Sequence, residues 1–492
     1  MNRSSICCGI AVAIVFLIMH SVLGFIPVRD GAGWDGSVYV QYVEALAKGL
    51  PVVGDPYRSI RISGFIPLVV ASYFGASTAS LIILQAILNA LMLSVAVVVL
   101  HDAMIKLSVK SGVATLSVAT LACSWMFICM PVFYPILSDH IALAAACVSI
   151  WCWVRSYRWM IYILCAFCAW LMPGLFLIPL VLAAFPFHFN QVAEKSRAKL
   201  RLTLLWFVIL AAPLTVLLLF VIHHVPLSAV SAHSASLNGK TASVDMWMLS
   251  AFAILISLYV IIWLGLRLIV RPETWKSLSI YGSFFGVLFF SLSALLMKIS
   301  FDWNTGFAGP PLLDYLLYQS LAAPFKPLVA HFISFGPVIV LALFACLAWS
   351  LGYARPFPTG LIVLFIALLP FLAFGSESRQ WIAALPVIVL IYALSDFAWR
   401  TRIWCFIFSV LLLVPVFWLK QNLAIAAVKG LGFQTYQWQF YFGRQGPWMS
   451  LTTYQLGVIL MSVFIAFSLF MHFSKNRHFK EILETESREG QG

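Results

Sequence analysis

The stretch "ICCGIAVAIVFLIMHSVLGFIP", Ile6–Pro27, carries no Asp, Glu, Lys or Arg. It is long enough to cross a hydrocarbon core of roughly 30 Å as a helix. Comparable apolar runs recur as far as Phe473, so this is a pattern of the whole chain and not of one anchor. Of 492 residues, 63% are hydrophobic and only 10% charged, whereas a soluble domain carries about a quarter charged residues. The mean hydropathy is +0.99. Lipid offers backbone amides no partners, so the spans must be helices or a closed barrel, and short alternating strands are missing from the sequence. The reading is an all-α, polytopic transmembrane bundle of about 11 to 14 hydrophobic helices. The first run is read as a retained helix, because no small-x-small cleavage site follows it.

The ten cysteines all lie in or against apolar runs, which predicts small core side chains and no disulfide framework. The net charge of +13 is scattered over short loops, which speaks against a nucleic-acid partner and for a topological use. With the N-terminus inside, most of the basic residues fall in cytoplasmic segments around Lys106, Arg155, Lys195, Arg267, Arg355 and Arg400, and in a polar tail, 474–492. The remainder of the chain, 1–473, reads as one membrane domain. Two runs are too long for a single crossing. Trp159–Phe185 is interrupted by "LMPGLF", with Pro173 and Gly174, and is expected to fold into a hairpin. Phe65–Leu100 is interrupted by "SYFGASTAS" and is expected to be an interfacial helix followed by a span.

The largest polar interruption is "GWDGSVYVQYVEALAKGLPVVGDPYRSIRISG", Gly33–Gly64, within a first external loop at 28–64. Val38, Tyr42, Ala45 and Leu46 mark an apolar face, so a surface helix is expected to begin near Asp35. Asp35 then either caps that helix or carries chemistry. Asp30, before "GAG", is a solvated loop acid or an alternative to Asp35, and Asp55 opens a turn or joins the same group. Arg58 and Arg61, three residues apart, would point the same way on a helix and offer forks of donors suited to phosphate. Further along, Asp139 and His140 follow the two-proline turn "MPVFYPILSDH", and "FGSESRQW" holds Glu377 and Arg379 between two long apolar runs. Charged groups gathered at one face of an apolar bundle mark a candidate site. His223, His224 and His233 lack the fixed spacing and companion acids of a metal site.

Taken in order, the acidic first loop with Tyr39 and Ala45 after Asp35, then "DPYRSIRISGFIP", "YPILSDHIALAAA" and "ESRQWIAALPVI", resemble the GT-C superfamily of integral membrane glycosyltransferases. The resemblance implies a GT-C-like bundle with interfacial helices in the first loop. It also implies a polyprenyl-phosphate sugar donor and transfer, with inversion, to a glycan, lipid or protein acceptor on the non-cytoplasmic face. It places the catalytic acids at Asp35, with Asp30 as alternative, and at Asp139. Tyr39, Arg58, Arg61, His140, Glu377 and Arg379 fall in the substrate- and phosphate-binding part. A bacterial inner membrane, with the site on the periplasmic or extracellular side, is the setting it suggests. No cofactor is demanded by the residues themselves. The resemblance leaves a divalent metal, Mg or Mn, open, but the paired Asp-Asp or Asp-Glu that many members show in the first loop is absent, the nearest acids, Asp30 and Asp35, being five residues apart. Two other classes remain open: a polymerase or ligase of lipid-linked glycans, and a lipid-linked substrate transporter or flippase.

Overall fold

The structure, a computed structural model, describes residues 2–52, 56–172, 174–187, 200–225, 246–300, 312–418, 436–444 and 446–489. Asp55, Pro173 and His233 lie outside the described residues. Among those described, every regular element is a helix.

In chain order the main helices are α1 (Arg3–Leu23), α2 (Gly33–Ala47), α3 (Ile66–Tyr73), α4 (Thr78–Lys106), α5 (Ser111–Ala122) and α6 (Asp139–Val154). Next come α7 (Arg158–Ala169), α8 (Leu177–Ala184), α9 (Leu200–His224), α10 (Trp247–Ile269), α11 (Ile280–Ser300) and α12 (Leu312–Leu321). The last are α13 (Lys326–Phe335), α14 (Val338–Ser350), α15 (Thr359–Phe374), α16 (Leu385–Leu394), α17 (Trp399–Trp418), α18 (Tyr436–Tyr441) and α19 (Leu451–Glu489). Seven of these, α1, α4, α9, α10, α11, α17 and α19, are long and apolar enough to cross a membrane, which makes the chain a multi-pass membrane protein. The number rises to nine if each of two bent pairs is one span: α5 with Trp125–Phe133, bent by 71°, and α13 with α14, bent by 119°.

The expected 11 to 14 hydrophobic helices therefore divide into full-length spans and shorter apolar pieces. Packing explains the difference. α6 and α16 are buried on all sides, and a helix walled by protein can be apolar all round without reaching both membrane surfaces. α9, by contrast, exposes Leu204, Leu205, Val208, Val216, Leu219 and Phe220, the surface of a helix that faces lipid. Core packing is built outward from α6, which α4, α7, α8 and α16 contact, while α1 packs on α4. All ten cysteines are free thiols, and seven of them are buried.

Both anticipated interruptions are present. α7 and α8 pack against each other and against α11, with Gly174 at φ +83 in the turn between them. α3 ends before Gly75 at φ +87, and α4 starts at Thr78 under a cap from Ser77, whose side chain accepts from the Ser80 amide. α2 begins near Asp35 as expected, but its N-cap position is Ala32 and no side chain caps it. Asp35 sits in the first turn instead, and its carboxylate is committed elsewhere.

A candidate site built on an arginine-bridged acid pair

The start of α2 is pressed against the turn that follows Trp125–Phe133. Gly33, at φ +74, has Tyr134 where a Cβ would point, at 3.1 Å. A Cβ on Gly36 would come within 3.0 Å of the Ile136 carbonyl. Two glycines thus allow a close approach that places Asp35 beside Tyr134. Together with Trp34, Leu137, Arg58, Arg379, Trp438 and Gln439, these residues line a cavity of about 310 Å³. That is at the small end of ligand sites.

Within it, Arg379 Nη1 donates to Asp35 Oδ2 at 2.7 Å, and Arg58 donates to Oδ1 through Nη2 at 2.9 Å and Nε at 3.2 Å. Burial alone would raise the Asp35 carboxyl, but the guanidiniums of Arg379 and Arg58 outweigh it and hold the group well below the usual carboxylate range. Arg379 also donates from Nε to Glu377 Oε1 at 2.6 Å, so one guanidinium bridges a neighbouring acid and one 344 positions away in the chain. Glu377 is 2% exposed and lies behind Arg379, with Tyr315 Oη donating to its Oε2 at 3.2 Å and Gln380 donating to the same oxygen. The 375–380 segment is itself fixed: Ser376 donates from its amide and its hydroxyl to Gln319 Oε1, and Ser378 Oγ is hydrogen-bonded to His331 Nδ1 at 2.9 Å. Glu377 and Arg379 form a local ion pair, which aims Arg379 at Asp35.

Asp139 lies deeper. It is fully buried at the first turn of α6, and neither carboxylate oxygen has a hydrogen-bond partner among the described residues. Burial pushes its carboxyl up, and the fields of Arg379 and Arg61 only partly offset that. His140 is also buried. Burial lowers its imidazole to about 4, and Nε2 donates to the Tyr134 carbonyl at 2.9 Å. It therefore holds in place the backbone of a residue that lines the cavity.

Four expectations change. Asp30 is exposed in a 3-10 turn at φ 55 and does not line the cavity, because the turn Arg29–Gly31 carries it to solvent. Tyr39 is buried against Phe65 at 4.9 Å and Tyr42 at 6.5 Å, so its ring serves the packing of α2. Arg58 and Arg61 are engaged differently. The helix Pro56–Ser59 stops after one turn, and the chain then sends Arg58 to Asp35 and buries Arg61 near Asp139. The metal expectation finds no support in the donor set. Both Asp35 oxygens already accept from arginine, and among the described residues no three His, Cys, Asp or Glu side chains converge. These residues do not fit a divalent cation, and no step is assigned to one.

The sequence reading missed Trp34, Tyr134, Trp438 and Gln439 in the lining and Tyr315, Gln319 and His331 in the support. Trp34 adjoins Asp35 and was the one within reach of a local argument. Trp34 and Trp438 meet edge to face at 5.8 Å although 404 positions separate them, and no spacing in the sequence signals such a contact.

The buried acid yields a stability prediction. An acid raised in the folded state costs nothing below its unfolded value near 4, and its cost grows as the pH rises toward the folded value. Asp139→Asn is therefore expected to be more stable than the wild type at pH 7, by about 1 kcal/mol, with the gap closing toward pH 4. Thermal unfolding in detergent across that range measures it. Destabilisation at pH 7 would mean that Arg61 relies on a charged Asp139.

Compared with known proteins, the chain matches no family model, no curated protein and no solved structure.

Proposed function

We propose that the protein is a membrane glycosyltransferase that moves a sugar from a polyprenyl-phosphate donor to a glycan, lipid or protein acceptor at the non-cytoplasmic face of a bacterial plasma membrane, with inversion. The observation that carries this reading is the doubly bridged Asp35 on the wall of a small cavity rimmed by aromatic rings. Burial pushes the Asp139 carboxyl up, toward its uncharged form, so that three guanidiniums, Arg58, Arg61 and Arg379, face chiefly the carboxylates of Asp35 and Glu377. Such a cluster attracts one more anion.

A donor phosphate competes with Asp35 for Arg58 and Arg379. As the guanidiniums turn to the phosphate, Asp35 loses the partners that depress it and its basicity rises. The freed carboxylate takes the proton of the acceptor hydroxyl while that oxygen bonds to the anomeric carbon from the face opposite the phosphate. As that bond forms, the bond from the anomeric carbon to the phosphate oxygen breaks, and its electron pair leaves on the lipid phosphate, whose charge the two arginines stabilise. The leaving group is a weakly basic anion and needs no proton from the protein. Trp34 and Trp438 offer apolar faces to a pyranose ring, and a cavity of about 310 Å³ suits one sugar better than a long glycan.

The 119° bend between α13 and α14 favours a second reading, since broken helices are frequent in carriers. One assay separates the two. Purified protein in liposomes is given labelled polyprenyl-phosphate sugars and candidate acceptors, and both product and transbilayer movement are followed. Transfer supports the glycosyltransferase. Movement of a lipid-linked glycan without transfer from any donor would replace it with a flippase.

A further inference from the structure

Arg267 and Arg271 lie at the far end of the bundle from the cavity. The N-terminal part of α10 packs through Trp247 and Ile254 near Leu321 and Phe374, beside the Tyr315–Glu377 contact. Arg267 is near the other end of α10, about 30 Å away at 1.5 Å per residue. Both arginines are buried, at 1% and 6% exposure, and each lies within the field of the other. Arg267 donates from Nη1 to the Thr203 hydroxyl at 3.3 Å, and Arg271 stacks over the Trp349 ring at 4.2 Å. Neither forms an ion pair among the described residues. Glu273 is within electrostatic reach of Arg271 but does not close on it.

The donors here outnumber the acceptors. Nε of Arg267, Nε of Arg271 and Nε1 of Trp349 have no hydrogen-bond acceptor among the described residues. Two like charges removed together from water are costly, and an anion between or against them is the ordinary remedy. The pair sits at the C-terminal end of α10, where a span of this length would leave the hydrocarbon core. Trp275, exposed, donates from Nε1 to the Ile269 carbonyl at 2.8 Å, and Tyr353 is exposed nearby in sequence to Trp349, as expected where a bundle meets the membrane surface.

We propose that Arg267 and Arg271 form a binding site for a phosphate group, supplied by an anionic phospholipid headgroup or by free phosphate. Planar guanidiniums match two phosphate oxygens, and basic recesses between spans are suited to anionic headgroups. The site is separate from the cavity at Asp35 and does not depend on its chemistry.

The test uses the full-length protein in nanodiscs of phosphatidylcholine alone, phosphatidylcholine with phosphatidylglycerol, and phosphatidylcholine with added inorganic phosphate. Thermal unfolding and lipid retention by native mass spectrometry are read for the wild type, Arg271→Gln and Arg271→Lys. The wild type is expected to melt higher with phosphatidylglycerol and to retain it about tenfold over phosphatidylcholine. Arg271→Gln loses both effects, and Arg271→Lys recovers part of them. An equal response to inorganic phosphate identifies free phosphate as the source. If Arg271→Gln does not fold, retention by the wild type decides. Equal retention of the two lipids with no response to phosphate overturns the proposal, as does an Arg271→Gln protein that responds like the wild type.

Discussion

Asp35→Asn is expected to slow sugar transfer by about 10³-fold, within the span usual for removal of a general base. The substitution keeps the shape of the side chain and removes its charge. Arg58 and Arg379 then have one fewer anion competing with the donor phosphate, so the donor is expected to bind as well as before or better. The predicted signature is a fall in kcat with KM for the donor unchanged or lower. A structural role for Asp35 gives a different signature, because disorder of Arg58 and Arg379 would raise KM. Measured rates and donor affinities on the purified protein separate the two, and full activity in Asp35→Asn would remove Asp35 as the base.

Arg379→Gln is expected to cost stability as well as transfer. Arg379 donates to both Asp35 and Glu377. Its loss leaves Glu377, 2% exposed, without its cationic partner, and breaking a buried pair in this way costs about 3 kcal/mol. Transfer is expected to fall by about 10²-fold or more, with weaker donor binding, because a charge that steadies the leaving phosphate is gone. Lysine is not expected to rescue it, since a single ammonium on a flexible stem cannot present separate Nε and Nη donors to two carboxylates. Arg58→Gln is the control. Its side chain is 34% exposed, so the variant should keep nearly all of its stability and lose mainly donor affinity. Similar destabilisation by Arg58→Gln and Arg379→Gln would contradict the bridging role.

The membrane architecture is legible in the chain because hydropathy and the length of a bilayer act on contiguous residues. Hence α1 and α4, and the breaks at Gly75 and Gly174, can be read one window at a time. The division into spans and shorter inner helices is not legible in that way. α16 is as apolar as a lipid-facing helix, and only its neighbours reveal that it is walled by protein. At the site, Asp35, Arg58 and Arg379 stand out as charges where oil is the rule, and the fold brings those three together. Where local reasoning assigned directions it was less successful. A helical spacing placed Arg58 and Arg61 on one face, but the helix ends at Ser59; Arg58 donates to Asp35, and Arg61 is buried within the field of Asp139. Trp438 and Gln439 enter the lining from a six-residue helix late in the chain, and Tyr315 and Gln319 brace Glu377 and Ser376 from α12. These are tertiary contacts between distant segments, without a motif that a single sequence could show.

The arginines holding Asp35 are the expected donor-phosphate site. The structure of the protein bound to a non-transferable C-glycosyl phosphonate analogue of a polyprenyl-phosphate sugar tests it most directly. The prediction is phosphonate oxygens within hydrogen-bond reach of Arg58 and Arg379, the sugar ring against Trp34 or Trp438, and Asp35 freed from at least one guanidinium. A phosphonate bound elsewhere, with both Asp35 ion pairs intact, would contradict the account.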